Sequence, residues 1–297
     1  MHLSIQSLSK GYANGVKAID DLSLEIGTGM FGLLGPNGAG KSSLMRTIAT
    51  LQKADSGRIL FNGRNIFDNP SIFRRTLGYL PQEFGVYPKD SAEKLLHYFA
   101  TLKGINSAKD RIRLVSHVLE LTNLWEVRKK RVSAFSGGMR QRFGIAQLLL
   151  NQPELIIVDE PTAGLDPAER ARFLNVLRNI GSSNIVIFST HLVEDVAELC
   201  SEMAIMDQGK RLAQIAPKEA IAAVSGKIWE AISLPSDLSS VEGKTLLLRT
   251  HYNEKNERVS RVYADVKPSP NCVKCAPKLE DYYFLILNSH ARKDILL

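Results

Sequence analysis

Cysteine is scarce: three residues, Cys200, Cys272 and Cys275, in a chain of 297. An odd, low count excludes a disulfide-stapled secreted scaffold and points to a reducing compartment. Long apolar runs are missing as well. The longest, such as IAQLLL at 145–150, fall far short of the ~20 residues that cross a bilayer as a helix. The opening residues, MHLSIQSLSK, lack the basic-then-apolar order of a signal peptide. No internal repeat, low-complexity stretch or sustained heptad pattern is present. Charge of neither sign dominates: the net charge is +7, with 23% charged and 44% hydrophobic residues. That mixture can bury a real core. Its mild basicity is compatible with nucleotide, an anionic membrane surface or nucleic acid, and selects none of them. The one basic cluster, Arg128–Lys129–Lys130–Arg131, reads as a solvated helix end or loop.

What is present is an alternation of short apolar strands with helices. Residues 3–8 and 22–26 alternate apolar and polar as half-buried strands do. Met30–Leu34 is an apolar strand that runs into a glycine-rich turn, and a helix is predicted from Lys41 to about Leu51. Strands are predicted at 58–61, 77–80, 155–158, 184–188 and 203–206, and helices at 139–150, 167–180 and 192–199. The turn Asn62–Gly63 follows the first of these strands. From Ser91 to Leu121 the periodicity is helical, broken at Gly104, and this block interrupts the α/β alternation. Such a pattern implies a mostly parallel sheet covered on both faces. Near Pro217–Gly226 the character changes. IWEAISL, KTLLLRT and RVYADV read as strands and LEDYYFLIL as a short acidic-aromatic helix. The expected division is therefore 1–225, with a helical subdomain at about 91–150, and a small α+β accessory domain at 226–297.

Residues 35–42, GPNGAGKS, match G-x-x-x-x-G-K-[ST] between a strand and a helix, the context that a phosphate-binding loop requires. Gly35, Gly38 and Gly40, with Pro36, Asn37 and Ala39 between them, let the backbone curl so that successive N–H groups face an anion. The helix start at Lys41 adds its positive dipole end. Lys41 can reach β/γ-phosphates and the Ser42 hydroxyl can ligate Mg²⁺. ELIIVDEP at 154–161 ends a buried strand in two carboxylates at the carboxyl edge of the sheet, where ligands bind in such folds. Asp159 suits the Mg²⁺ shell, and Glu160 can take a proton from, or orient, an attacking water. A second glycine turn, Ser136–Gly137–Gly138, opens another helix and presents a hydroxyl, free N–H groups and a helix dipole to an anion. As a purely local device, Ser136 is also an N-cap.

Taken together, these motifs resemble the nucleotide-binding subunits of ATP-binding cassette transporters, in order and spacing across 1–215, about seven tenths of the chain. GPNGAGKS is similar to the Walker A loop, LIIVDE to Walker B and SGG to the signature motif. Gln82 in LPQ matches the Q-loop, AGLD at 163–166 the D-loop, and His191 in STH the switch histidine. Tyr12 matches the aromatic that stacks on adenine. The resemblance implies ATP and Mg²⁺ as cofactors. It implies that Gly38, Gly40, Lys41, Ser42 and Ser43 hold phosphates and the ion. Gln82 would sense Mg²⁺ and the attacking water, and His191 would hydrogen-bond the γ-phosphate. It also implies a head-to-tail pair of cassettes, each ATP lying between the P-loop of one and Ser136–Gly138 of the other, and it puts Asp166 of the D-loop among the cofactor-binding residues. Two positions depart from the commonest family pattern. Met139 follows SGG in place of Gln, and Ala163 removes a hydroxyl from the D-loop. The Ser136 hydroxyl, the backbone N–H groups and Asp166 remain, so activity is expected.

The resemblance leaves two readings of what hydrolysis drives. One is the ATPase subunit of a membrane exporter, peripheral on the cytoplasmic face of the membrane and bound to a separate integral permease. The other is a soluble cassette ATPase acting on nucleic acid or ribosomes. That class carries two cassettes in one chain, or long coiled-coil or zinc-bearing insertions, and this sequence shows neither, so no nucleic acid is expected. EFGVYP after Gln82, HLVEDV at 191–196 and PKLEDYYFLIL at 277–287 resemble the bacterial exporter branch. Cys272-Val-Lys-Cys275 has two-ligand zinc spacing, but a single pair reads as an incidental loop.

Overall fold

The computed structural model of the protein describes residues 1–85, 89–232 and 245–295. Three pieces of the sequence reading lie outside the described residues: Val86–Pro88 of EFGVYP, Ser233–Leu234 of the first C-terminal strand stretch, and Lys244.

The chain begins with an antiparallel layer. β1 (His2–Gly11) pairs with β2 (Lys17–Gly27), each burying alternate apolar side chains such as Leu3, Ile5, Leu22 and Leu24. β3 (Gly29–Leu34) then enters the main sheet and delivers the chain through residues 35–40 into α1 (Lys41–Ile48). β4 (Ser56–Phe61) returns to β1. It forms a hairpin with β5 (Arg64–Asn65) through Asn62 and Gly63, both at positive φ, the geometry an Asn-Gly pair favours. The antiparallel order is β2-β1-β4-β5. α2 (Pro70–Thr76) follows, capped by the Asn69 side chain and started by Pro70. It is a helix that the periodicity does not announce, because it buries only Phe73.

β6 (Leu77–Leu80) belongs to the second sheet. The helical block is α3 (Ala92–Leu102), α4 (Ala108–Leu121) and α5 (Gly137–Leu149), with serine N-caps at Ser91, Ser107 and Ser136. Their own core includes Leu96, Val118, Leu119 and Phe143. The chain then alternates through β7 (Leu155–Asp159), α6 (Pro167–Gly181), β8 (Ile185–Thr190), α7 (Val193–Leu199), β9 (Glu202–Asp207) and β10 (Lys210–Ile215). The sheet order is β10-β9-β3-β8-β7-β6, parallel except for the antiparallel edge strand β10. β7 and β8 are buried along their whole length, which explains their apolar runs LIIV and IVIF. One face of this sheet packs on α1 and the antiparallel layer, the other on α6.

α8 (Pro217–Ala223) leads to a second antiparallel sheet of β11 (Ile228–Ile232), β12 (Leu246–Tyr252), β13 (Arg258–Tyr263) and β14 (Val273–Lys274), in the order β12-β13-β11-β14. α9 (Leu279–Ile295) closes the described chain. It is longer than LEDYYFLIL alone indicates, and it touches both parts of the molecule. Leu279 and Tyr283, one turn apart, join Val193, Val196, Ile205 and Ala220 in a single apolar cluster. Tyr282, Phe284 and Leu285 line the core of the second sheet with Ile228, Leu246 and Leu248. The start of α9 is pinned by Arg261, whose buried guanidinium donates to both oxygens of Asp281 at 2.5 and 2.8 Å and to Glu230 at 2.5 Å.

Candidate nucleotide site

The glycine-rich loop sits where β3 ends and α1 begins. Gly38 and Gly40 have φ of 83° and 99°, values that L side chains rarely adopt. At Gly40 a Cβ would also collide with the Ala18 carbonyl. No side chain caps α1, so its first N–H groups are left to the loop's interior. Lys41, only 5% exposed, donates to the Gly35 carbonyl at 2.7 Å and the Pro36 carbonyl at 3.0 Å. Two of the ammonium's three donors thus hold the curl of the loop. Burial lowers the Lys41 amine pKa, while the charges of Glu160 and Asp159 oppose that shift.

β7 brings the carboxylates to this loop. Ser42 Oγ donates to Asp159 Oδ1 at 3.4 Å, and Ser189 Oγ on the neighbouring strand β8 donates to the same oxygen at 2.8 Å. Glu160 follows with φ of 44°, a left-handed backbone that costs a non-glycine residue about 1–2 kcal/mol. Its N–H donates to Ser189 on both the hydroxyl, at 2.9 Å, and the carbonyl, at 3.2 Å, and these bonds hold the turn. The turn places the Glu160 carboxylate between Lys41 Nζ at 3.9 Å and His191 Nδ1 at 3.5 Å.

Tyr12, Asn37, Lys41, Ser43, Gln82 and Glu160 line one cavity of about 440 Å³. The Tyr12 hydroxyl lies 3.0 Å from Ser43 Oγ and donates to Gln52 Oε1 at 3.1 Å. Gln52 in turn donates to the Ser43 carbonyl and the Thr47 hydroxyl, each at 2.9 Å, so it anchors Tyr12 to α1. Ser42, Asp159 and Gln82 each carry oxygen donors, the hard chemistry that suits Mg²⁺ alongside phosphates and water. Among the described residues no group of three His, Cys, Asp or Glu is placed to hold a metal ion, and Cys272 is buried with its Sγ 3.4 Å from Ser269 Oγ.

Gly35, Pro36, Asp159 and His191 adjoin this cavity through Lys41, Ser42 and Glu160, whereas four other expected site residues stand apart from it. Ser136 caps α5, accepting from Met139 N–H at 3.2 Å, and Asp166 caps α6, accepting from Glu169 N–H at 2.9 Å. Ser136, Gly137 and Asp166 are exposed, and Gly138 is buried against Glu169. The two helix starts are joined by a salt bridge from the buried Arg142 on α5 to Glu169 on α6 at 3.1 Å. They form a separate surface of capped helix ends.

The sequence reading missed Ser189, Thr162, Asp195, Gln52, Arg142 and Glu169. Ser189 and Asp195 stand inside the quoted stretches STH and HLVEDV, but nothing local marks them. Their roles come from partners tens of residues away.

The fold and motifs agree with comparisons to known proteins. The family described as "ABC transporter" matches residues 19–163. The linearmycin resistance ATP-binding protein LnrL of Bacillus subtilis is 36% identical over 214 residues, covering 71% of this chain and 68% of that protein. The Nod factor export ATP-binding protein I of Ralstonia nicotianae is 34% identical over 221 residues, covering 74% and 68%. A solved ATP-binding subunit of an ABC transporter superposes with a TM-score of 0.66 at 27% identity, covering 75% of this chain and 93% of that one. With its mixed α/β P-loop fold, this chain belongs to the ABC transporter family as an ATP-binding subunit, an ATPase of the transport cassette kind.

Proposed function

We propose that the chain powers an exporter by closing with a second cassette around ATP. The observation that carries this reading is the convergence on one carboxylate, Glu160, of the loop lysine at 3.9 Å and the histidine at 3.5 Å. ABC cassettes dimerise and pair with membrane permease subunits. Here the exposed helix starts at Ser136–Gly137 and Asp166 are the half-site offered to the partner's ATP. Among the described residues no helix is long and apolar enough to cross a membrane, which fits a peripheral subunit on the cytoplasmic face, docked on a separate permease. The relatives named for linearmycin resistance and Nod factor export favour export, and nothing in the site favours the nucleic-acid or ribosome alternative.

Each residue then has a task. Tyr12, held by Gln52, stacks on adenine. The loop N–H groups of residues 38–43 and Lys41 hold the phosphates, drawing on charge and dipole in a partly dry cleft. Mg²⁺, held by Ser42, Asp159 and Gln82, would neutralise charge on the phosphates. Glu160 orients the attacking water and accepts its proton. His191 donates to the γ-phosphate and bridges it to Glu160. Residues 1–225 carry this chemistry, and residues 226–297 are accessory to it.

Glu160→Gln tests the reading. The amide keeps the shape but takes no proton, so turnover should fall by ~10²–10⁴-fold while ATP still binds. ATP should then hold a dimer that light scattering detects. Near-normal turnover would overturn the assignment.

A further inference from the structure

His191 lies in the two-residue link between β8 and α7, so the placement of its ring depends on what holds α7. One anchor stands out. Asp195, in the first turn of α7, has no solvent exposure. Its Oδ2 accepts from the Thr162 hydroxyl at 2.8 Å and its Oδ1 from Arg170 Nε at 2.6 Å. Thr162 is itself buried and stands two residues after Glu160, and Arg170 is on α6. A carboxylate in the first turn of a helix is favoured by the dipole alone, but that explains neither its complete burial nor its two partners on the far side of the site. A buried carboxylate must have its oxygens satisfied, and here both are satisfied by the segment that follows Glu160. The opposite side of α7, through Val193 and Val196, rests on Leu279 and Tyr283 of α9. Glu160 is thus fixed on its N-terminal side by Ser189 and His191 on its C-terminal side by Asp195.

We infer that Asp195 is a positioning residue for hydrolysis: through Thr162 and Arg170 it ties α7 to the loop after Glu160 and sets the spacing of His191 from Glu160. It touches no substrate. Its removal loosens the histidine and leaves the phosphate loop untouched.

Thr162→Val removes the hydroxyl at nearly constant shape, and Thr162→Ser returns it. For Thr162→Val, kcat for ATP should fall by about 10- to 100-fold, as small misplacements of reacting groups do, while ADP affinity stays within about twofold, since the phosphate loop that binds ADP is intact. Thr162→Ser should restore kcat to within about twofold. The inference is overturned if Thr162→Val turns over at the wild-type rate, if ADP binding weakens as much as kcat falls, or if Thr162→Ser fails to rescue. Should Thr162→Val not fold, Arg170→Gln removes the other partner from a less buried position, and the same split between kcat and ADP affinity decides. The inference rests on the roles proposed above for Glu160 and His191, so His191→Ala is measured alongside. A normal rate for His191→Ala would sink that reading itself. A slow His191→Ala with a normal Thr162→Val would sink this inference alone.

Discussion

Gly137 offers a way to separate folding from function at the second glycine turn. It is the first residue of α5, and its φ is not in the left-handed region. A Cβ built there would meet only Leu165 Cδ2, at 3.6 Å, an ordinary contact. Among the described residues nothing demands glycine at this position, and alanine should add up to about 1 kcal/mol of helix stability. Gly138 is different. A Cβ there would lie 2.8 Å from both Cβ and Cδ of Glu169. Gly138→Ala must therefore push Glu169 off the buried Arg142. Breaking such a pair costs about 3–5 kcal/mol, against about 1 kcal/mol gained in helix propensity. The net loss is about 2–4 kcal/mol. If the partner's γ-phosphate approaches the bare backbone at 137, Gly137→Ala should remove roughly one charge-assisted hydrogen bond, about 1.5–3 kcal/mol. That corresponds to a ten- to hundredfold loss of turnover, roughly. The assay is a thermal melt paired with steady-state ATPase at saturating ATP. The expected result is an unchanged or raised Tm with low activity for Gly137→Ala, and a lowered Tm for Gly138→Ala. A Gly137→Ala chain that melts and hydrolyses as wild type would refute the shared site.

Complementation gives an independent check of that site. In a forced heterodimer, Lys41→Ala on one chain and Ser136→Arg on the other should leave one composite site intact. Both changes on one chain should damage both sites, so the different-chain arrangement should be the more active in an ATPase assay. Greater activity in the same-chain arrangement would mean that each site lies within one chain. At the other end of the molecule, Tyr283→Ala removes a buried aromatic from the cluster under α7, and should cost about 3–5 kcal/mol, read as a lower Tm. A chain cut after residue 225 loses both Leu279 and Tyr283 from that cluster. It should keep ADP binding while melting earlier and hydrolysing ATP more slowly, and a cut chain that matches the full one would make α9 a passenger. Asp281→Ala leaves the buried Arg261 only Glu230 as a charged partner, beside the Ala276 carbonyl, and should likewise destabilise by about 3–5 kcal/mol, seen in a denaturant melt.

Some of this protein was legible in the chain itself because its physics is local. A phosphate loop is built by consecutive backbone N–H groups, so GPNGAGKS between a strand and a helix already specifies the cradle. β7 and β8 announce themselves because strands buried on both faces carry an apolar run, LIIV and IVIF, before their polar ends. Asp159 and Glu160 follow from the end of one such strand. Ser136 is visible as a helix cap for the same reason, since a cap satisfies its own neighbouring N–H groups. Short elements that bury little were not legible. α2 buries only Phe73, β10 has no fully buried residue and α8 buries only Pro217 and Ala220, too few apolar positions for a period to register. Nor were the bonds that set the chemistry in place. Thr162 and Asp195 are 33 residues apart, Arg142 and Glu169 27, and Ser189 and Asp159 30. Polar residues at such separations look like any solvated surface until the fold removes the water and leaves them only each other as partners. The left-handed turn at Glu160 is of the same kind. No residue type there advertises it, and it exists because Ser189 on the adjoining strand accepts its N–H twice. The residues able to do the chemistry were thus set by sequence. Their spacing, the grip of α9 on α7 and the exposure of the helix starts at Ser136 and Asp166 were decided by packing, because each depends on groups that meet only when the sheet has formed.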